Sequence, residues 1–436
     1  MSFDLISTRN FVLKLRISTC RILAMSFACC LFLAAYNSVV AAQAGPSSGA
    51  LQPEFFGLHM HRADTTTRWP FVRFGTWRLW DAGVTWNNIE PERGQYRFEK
   101  LDRLVELAQE HGVELVFVLG VTPQWASARP GEPSPYGLGG GAEPRDIHDW
   151  ENFVRTLAIR YKGRINNFEL WNEPQYSDFE SAKGGFYTGT LASLVELGRS
   201  AARVLKEVDP GNRLITPGFT GAGDRLERFL AAGGKDFSDI VAFHFYALTP
   251  EKMLQKIQAV QQIMRKQGVG DKELWNTEQS YDVVGPAASI PGNIGDEVRD
   301  IETLAAYIPR SFVLAAAAGV KRFYFYSWER LLAEKETVPT VAANAWGVTV
   351  RWLKGASVDS CVSEDGAVWV CSLGRGGRKA WMVWNASGES EWAVPKGWEV
   401  TAFESADSGA GRLHNNVIRL GQTPLLLKRE ILVWSP

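Results

Sequence analysis

What most constrains this chain is the regular alternation of short apolar segments with amphipathic ones between residue 55 and about residue 330. Val113–Leu119 (VELVFVL), Asn167–Trp171, Arg213–Thr216, Ile240–Tyr246, Glu273–Thr277 and Arg322–Ser327 are short and rich in Val, Ile, Phe, Tyr and Trp. Turn residues bound them, which is the pattern of buried strands. Phe55–His61 and Arg73–Trp80 complete a set of eight. Between them, Phe98–His111, Phe186–Val208, Pro250–Gln267 and Asp296–Ala318 carry helical spacing, and many of these stretches end in Gly or Asp-Pro-Gly, as helix C-termini do. Eight strands alternating with helices predict an α/β fold, a (β/α)8 TIM barrel, over residues 50–354. A doubly wound sheet is the competitor, but no Gly-rich phosphate loop follows any strand.

After about Gly355 the pattern changes. Val358–Ser363, Val368–Leu373, Trp381–Asn385, Glu399–Phe403, Asn416–Leu420 and Leu425–Arg429 alternate between turn residues, which predicts a small β-sandwich over residues 355–436. Cys361 and Cys371 flank the turn signal Glu364-Asp365-Gly366, so a disulfide across a hairpin is expected; two separate buried thiols are the alternative.

At the other end, Arg9, Lys14, Arg16 and Arg21 precede an apolar stretch from Ile22 to Ala35, and Ala42-Gln43-Ala44 fits a small-x-small cleavage site. No charge lies between Arg21 and Glu54, so the stretch also reads from Ile22 to Ala42, long enough to cross a bilayer with its basic side in the cytoplasm. Residues 1–44 are therefore expected to be a signal peptide or an N-terminal anchor in the inner membrane. In both cases the body is exported, to the periplasm or beyond. The 47 basic and 48 acidic residues leave a formal net charge of −1 without charged runs, and nothing recommends nucleic acid as a partner. Seventeen tryptophans offer flat faces suited to sugar rings, although core packing accounts for most of them.

In a barrel, chemistry sits at the C-terminal ends of the strands. The fourth strand ends in Phe168-Glu169-Leu170-Trp171-Asn172-Glu173-Pro174, and the seventh in Glu273-Leu274-Trp275-Asn276-Thr277-Glu278-Gln279. Glu173 and Glu278 are 105 residues apart, three strand–helix units of 35, so their side chains can converge across the rim. Retaining glycosidases need two such carboxyl groups, one to protonate the leaving oxygen and one to attack the anomeric carbon. Either glutamate alone could be an ordinary rim salt bridge; the pair at these two strand ends points to chemistry. His59-Met60-His61 with His244 offers a rival metal site. The further ligands such a site needs are missing, since strand five ends Thr216-Pro217-Gly218 and strand eight ends Ser327-Trp328-Glu329. No metal and no organic cofactor is expected.

On these motifs the chain resembles the clan A glycoside hydrolases. Trp86-Asn87-Asn88-Ile89-Glu90-Pro91-Glu92-Arg93-Gly94 and the following Gln95-Tyr96-Arg97-Phe98 resemble the clan's segment after strand two, and Thr122-Pro123-Gln124-Trp125-Ala126 its segment after strand three. The nearest match is family 39, the β-xylosidase and α-iduronidase family, with the bacterial hydrolases of Psl-type biofilm exopolysaccharide in its wider circle. The resemblance covers roughly residues 55–330. It implies Glu173 as acid/base, Glu278 as nucleophile, and Asn172 on the sugar 2-hydroxyl. It further implies that Tyr246 and Arg78 orient Glu278, that Trp328 is the sugar platform with Trp125 a second, and that His59, His61 and His244 contact sugar hydroxyls. A purely structural role is the alternative for each of these supporting residues. Gln279 departs from the family pattern, where an aromatic residue is usual, which bears on substrate rather than mechanism. The implied function is retaining, endo-acting hydrolysis of a bacterial exopolysaccharide with β-linked mannose or glucose, the partner being a polysaccharide or oligosaccharide. An exo-acting β-xylosidase-like enzyme and a non-catalytic glycan-binding barrel are the alternatives.

Overall fold

The structure is a computed structural model that describes residues 49–283, 296–298, 300–333, 338–363, 365–407, 409–429 and 434. Eight parallel strands close into a barrel: β1 (Phe56–His59), β2 (Thr76–Arg78), β3 (Glu114–Leu119), β4 (Asn167–Leu170), β5 (Arg213–Ile215), β6 (Ile240–His244), β7 (Glu273–Gln279) and β8 (Arg322–Phe325). β1 pairs with both β2 and β8, which completes the ring. Val116, Ile215, Ile240, Ala242, Trp275 and Tyr324 fill the barrel interior as one buried cluster. Gly57 lets Tyr324 cross that interior, because a Cβ on Gly57 would lie 2.5 Å from the Tyr324 ring.

Among the described residues, seven helices of eight residues or more surround the barrel: α1 (Glu99–His111), α2 (Ile147–Arg160), α3 (Leu191–Val208), α4 (Asp224–Ala231), α5 (Pro250–Lys266), α6 (Ile301–Ala317) and α7 (Val341–Leu353). Side-chain oxygens of Asp146, Thr190, Thr249, Asp300 and Thr340 accept backbone N–H bonds at the starts of α2, α3, α5, α6 and α7. The expected alternation breaks once: no helix joins β1 to β2. Trp69 from that irregular connection covers the barrel instead, stacked on His111 at 4.0 Å and edge-on to Trp77.

Beyond α7 lies a six-stranded antiparallel sheet, built from β9 (Ser357–Ser363), β10 (Val368–Arg375), β11 (Arg378–Asn385), β13 (Ala402–Ser405), β14 (Gly409–Arg412) and β16 (Leu425–Lys428). Alternate residues of β11 face opposite ways. Met382 and Trp384 join the main core, which includes α6, while Trp381 and Val383 pack beneath a two-stranded ribbon of β12 (Ser390–Ala393) and β15 (Val417–Leu420). The second layer of the sandwich is therefore only this ribbon. With neighbours on both sides, α6 is buried along almost its whole length. Cys361 of β9 and Cys371 of β10 lie directly opposite each other and are joined by a disulfide, with Cα atoms 4.0 Å apart. The segment before β1 is tied to the turn that leaves α7. Leu51 N–H donates to the Ala356 carbonyl at 2.9 Å, and Gly355 N–H donates to the Leu51 carbonyl at 2.7 Å. Among the described residues no helix is long and apolar enough to cross a membrane; the segment 1–44 lies outside them.

Candidate active site

Glu173 owes its position to a sharp turn at the end of β4. Trp171 and Glu173 both take left-handed backbone angles, with φ of 60° and 41°, and Glu173 N–H donates to the Gly218 carbonyl at 3.0 Å. This turn lifts the Glu173 side chain over the barrel mouth toward Glu278, which projects from β7. One oxygen of each carboxyl and one ring nitrogen of His244 all lie within 4.8 Å of one another. His244, at the end of β6, places Nδ1 2.8 Å from Oε1 of Glu173.

The two carboxyls sit in different fields. Glu278 accepts from Arg78 Nη1 at 2.9 Å on one oxygen and from the Tyr246 hydroxyl at 2.6 Å on the other. Burial pushes its pKa up, a rise enlarged by Glu173 and opposed by His244, Arg78 and the Tyr246 hydroxyl. Burial also pushes Glu173 up, to about 7, with Arg78 and Arg225 only partly offsetting it. His244 is held down at about 4, chiefly by burial, so the partner of Glu173 is a neutral imidazole near pH 7. Burial works against the charge on Arg78, but Glu169 and Glu278 outweigh it and hold the guanidinium protonated. A cation and a hydroxyl favour the ionised form of Glu278, whereas among the described residues no cation is in contact with Glu173. The arrangement sets a carboxylate at Glu278 opposite a carboxylic acid at Glu173.

Asn172 lies with the pair, its Oδ1 accepting from Arg78 Nη2 at 2.7 Å, which leaves the amide end to donate. His61 is half-buried and rests its ring against Tyr326 at 4.9 Å. Four expectations need correction. His244 is fully buried with Nδ1 on Glu173, so it holds the acid/base rather than a sugar hydroxyl. Trp328 is 2% exposed, turned into the core with Phe71 edge-on to it, so it is no platform. The aromatic residue that closes β8 on the site side is Tyr326, whose hydroxyl donates to Asp81 Oδ2 at 2.6 Å. Trp125 is no platform either. Arg93 covers one face at 4.8 Å, Trp86 meets it edge-on, and its indole N–H donates to the Glu90 carbonyl at 2.8 Å. His59 is fully buried with Nε2 3.0 Å from the Thr277 carbonyl, so it supports β7 from beneath rather than meeting sugar.

Sequence reasoning missed Glu169, Thr277, Asp81, Tyr136 and Tyr326. Glu169 did carry a signal, being a charged residue in the middle of a strand that must be buried. Tyr326 carried another, two residues beyond Tyr324 and so on the same, inward face of β8. Asp81 carried none. The hydroxyls of Tyr136 and Tyr326 each take one of its oxygens, a contact between distant loops.

A parallel barrel with facing carboxyls on strands four and seven defines a class of carbohydrate-processing barrels. Residues 41–336 match Glycosyl hydrolases family 39, and the chain belongs to that family. It is similar to a beta-xylosidase of Caldicellulosiruptor saccharolyticus, 27% identical over 154 residues that make up 34% of this chain and 30% of that one. It is likewise similar to endo-1,4-beta-xylanase A of Phanerodontia chrysosporium, 29% identical over 131 residues, 30% of each chain. The matched stretch thus spans 30% of the length of each of these curated relatives. Among solved structures, a family 39 glycoside hydrolase from the gut symbiont Bacteroides cellulosilyticus WH2 superimposes with a TM-score of 0.65 at 18% identity, covering 87% of this chain and 81% of that one. The family 39 enzyme of Xanthomonas axonopodis pv. citri gives 0.58 at 15% identity, covering 87% and 94%. These two share the fold.

Proposed function

We propose that the protein hydrolyses glycosidic bonds with net retention, using Glu173 as acid/base and Glu278 as nucleophile. The observation that carries this reading is that one oxygen of each carboxyl lies within 4.8 Å of the other. Retaining enzymes hold the pair about 5–5.5 Å apart, whereas inverting enzymes leave about 6.5–9.5 Å for a water molecule. In the first step Glu278 attacks the anomeric carbon while Glu173 gives its proton to the leaving oxygen, forming a glycosyl ester on Glu278. In the second step Glu173, now a carboxylate, takes a proton from water as that water attacks the same carbon and releases Glu278. The substituted position is inverted twice, so its configuration is retained. Asn172 donates to the sugar 2-hydroxyl, a contact that strengthens as the ring flattens toward the transition state.

The substrate we favour is a bacterial exopolysaccharide with β-linked mannose or glucose, cut internally by an exported protein. Export follows from the basic-then-apolar character of residues 1–44, as a cleaved leader or an inner-membrane anchor. Support for a long substrate comes from Leu138 and Leu248, exposed apolar residues on loops after β3 and β6, at the end of the barrel that holds the carboxyls. With Trp125 and Trp328 packed away, these loops replace the expected paired platforms. Action on xylo-oligosaccharides is the second reading, favoured by the names of the two curated relatives. Incubation with purified exopolysaccharide and with xylan, followed by product sizing and NMR of the newly formed anomer, tests both. Early oligosaccharides with retained configuration support the first reading. Monosaccharide released from xylosides alone supports the second, and inverted product overturns the mechanism.

A further inference from the structure

Glu169 plays no part in the two chemical steps above, yet it is fully buried at the centre of the site. Its carboxylate accepts from Arg78 Nε at 2.5 Å and Nη2 at 3.2 Å, and from the Thr277 hydroxyl at 2.9 Å. The same guanidinium gives Glu278 a single contact from Nη1 at 2.9 Å. A guanidinium is a planar fork of donors, so its orientation decides how its charge is shared. Here the two-donor edge faces Glu169 and one corner faces Glu278. Both side chains of the Arg78–Glu169 pair are 0% exposed, so water does little to screen the division.

We propose that Glu169 is a positioning residue that draws the charge of Arg78 away from Glu278 and so leaves the nucleophile only partly compensated. The proposal rests on the retaining-hydrolase reading. A buried carboxylate with no cation would stay protonated, and one tightly paired with a whole cation would be a poor base and a poor nucleophile. Sharing Arg78 between two carboxylates avoids both extremes.

Among the described residues, the remaining charged and titratable groups around Glu278 leave Arg78 the cation in contact with it. Glu173 comes from β4, His244 and Tyr246 from the end of β6, and Tyr326 and Arg330 from the end of β8. Tyr136 faces it from the loop after β3, and Asp81 stands beyond that tyrosine at the end of β2. Arg330 is ion-paired with Asp282, and Asp81 is held by the two tyrosine hydroxyls. Thr277 fixes Glu169 from below, so the guanidinium meets a carboxylate that is already oriented.

The test is a titration of the full chain labelled with ¹³C-glutamate, with Glu278 and Glu173 assigned from their loss in Glu278→Gln and Glu173→Gln. In the wild type, Glu278 should titrate above the ordinary glutamate range. In Glu169→Gln, Arg78 is left to Glu278, and its midpoint should fall by about one pH unit, with that of Glu173 falling too. The pH–rate bell should move to the acid side by a similar amount. Glu169→Asp keeps the charge and should hold both midpoints near their wild-type values while lowering the rate. An unmoved Glu278 midpoint in Glu169→Gln, or equal shifts in the Asp and Gln variants, would overturn the proposal. So would a wild-type Glu278 that titrates below ordinary glutamate, which decides the matter even if Glu169→Gln does not fold. The titration needs no substrate, so its failure is separate from failure of the hydrolase reading, which the product anomer reports.

Discussion

Gly218 and His244 are packed so closely that a methyl group on Gly218 would lie 2.3 Å from Nε2 of the imidazole. The same methyl would lie 2.6 Å from Glu169 Oε1, so a single hydrogen atom of space serves both the partner of Glu173 and the partner of Arg78. Gly218→Ala must push both aside. A displacement near 1 Å costs about 100-fold in rate, so kcat/KM should fall by roughly that factor, and crowding two buried side chains should also lower the melting temperature. Steady-state kinetics beside a thermal melt checks it; near-normal activity would mean the imidazole is free to move.

Activity should follow a bell in pH. The productive state needs Glu278 ionised and Glu173 protonated, and Glu173 loses its proton at about 7. The alkaline limb should therefore fall near pH 7, and the acid limb should lie above the ordinary glutamate range, because burial raises Glu278 as well. In Glu173→Ala the alkaline limb should vanish. Activated aryl glycosides should be spared relative to natural glycan, and added azide should restore turnover as a β-glycosyl azide. Glu278→Gln should abolish turnover on every substrate. Rate profiles on an aryl glycoside and on the polymer separate these outcomes.

The raised pKa of Glu173 is also a cost to folding. Below about pH 4.5 the carboxyl is protonated in both folded and unfolded chains, and it contributes nothing against folding. Between about pH 4.5 and the folded value of about 7 the unfolded chain has released a proton that the folded chain still holds, so the cost builds across this window and is complete above it. Glu173→Gln should therefore be more stable than the wild type at pH 8, by roughly 2 kcal/mol once partial exposure of the side chain is allowed for, and no more stable at pH 4.5. Urea unfolding at the two pH values checks the sign.

Tyr326 and Trp328 should separate cleanly. Tyr326→Ala removes the ring against which His61 rests and the bond to Asp81, loosening the site wall beside the carboxyls, and should raise KM about tenfold or more. Trp328→Phe should cost stability, on the order of 1–3 kcal/mol for altered core packing, with KM nearly unchanged. A large KM effect from Trp328 alone would restore the platform that the fold has taken away.

Breaking the Cys361–Cys371 bridge should lower the stability of the sheet by about 2–3 kcal/mol, the loop-closure cost for a ten-residue separation. The barrel carboxyls lie outside that hairpin, so activity at low temperature should persist. Melting curves with and without reductant, read beside activity, check this.

How much of this was legible in the sequence depended on whether the information was local. The strand ends carrying Glu173 and Glu278 were readable because strand periodicity and a 35-residue unit set their places. Arg78 and Tyr246 were named only on the strength of the family resemblance, and both side chains contact Glu278. Trp125 and Trp328 misled because an indole near a strand end looks the same whether it faces the mouth or the core. Arg93 over one ring and Phe71 against the other settle that, and both are tertiary contacts. The missing helix between β1 and β2 was equally hidden, since Trp69 and His111 come together from separate elements. The Asp81 clamp joins three loops that no spacing relates.

The pairing of Leu51 with Gly355 and Ala356 fixes more than the base of the barrel. It brings the chain in at the N-terminal ends of the strands, whereas Glu173 and Glu278 stand at the opposite ends. Gly49, where the described chain begins, thus lies on the far side from the cleft. Tethering the protein to a surface by that end would therefore point its mouth outward, and an affinity handle or immobilisation linker there should leave access for a long glycan unobstructed.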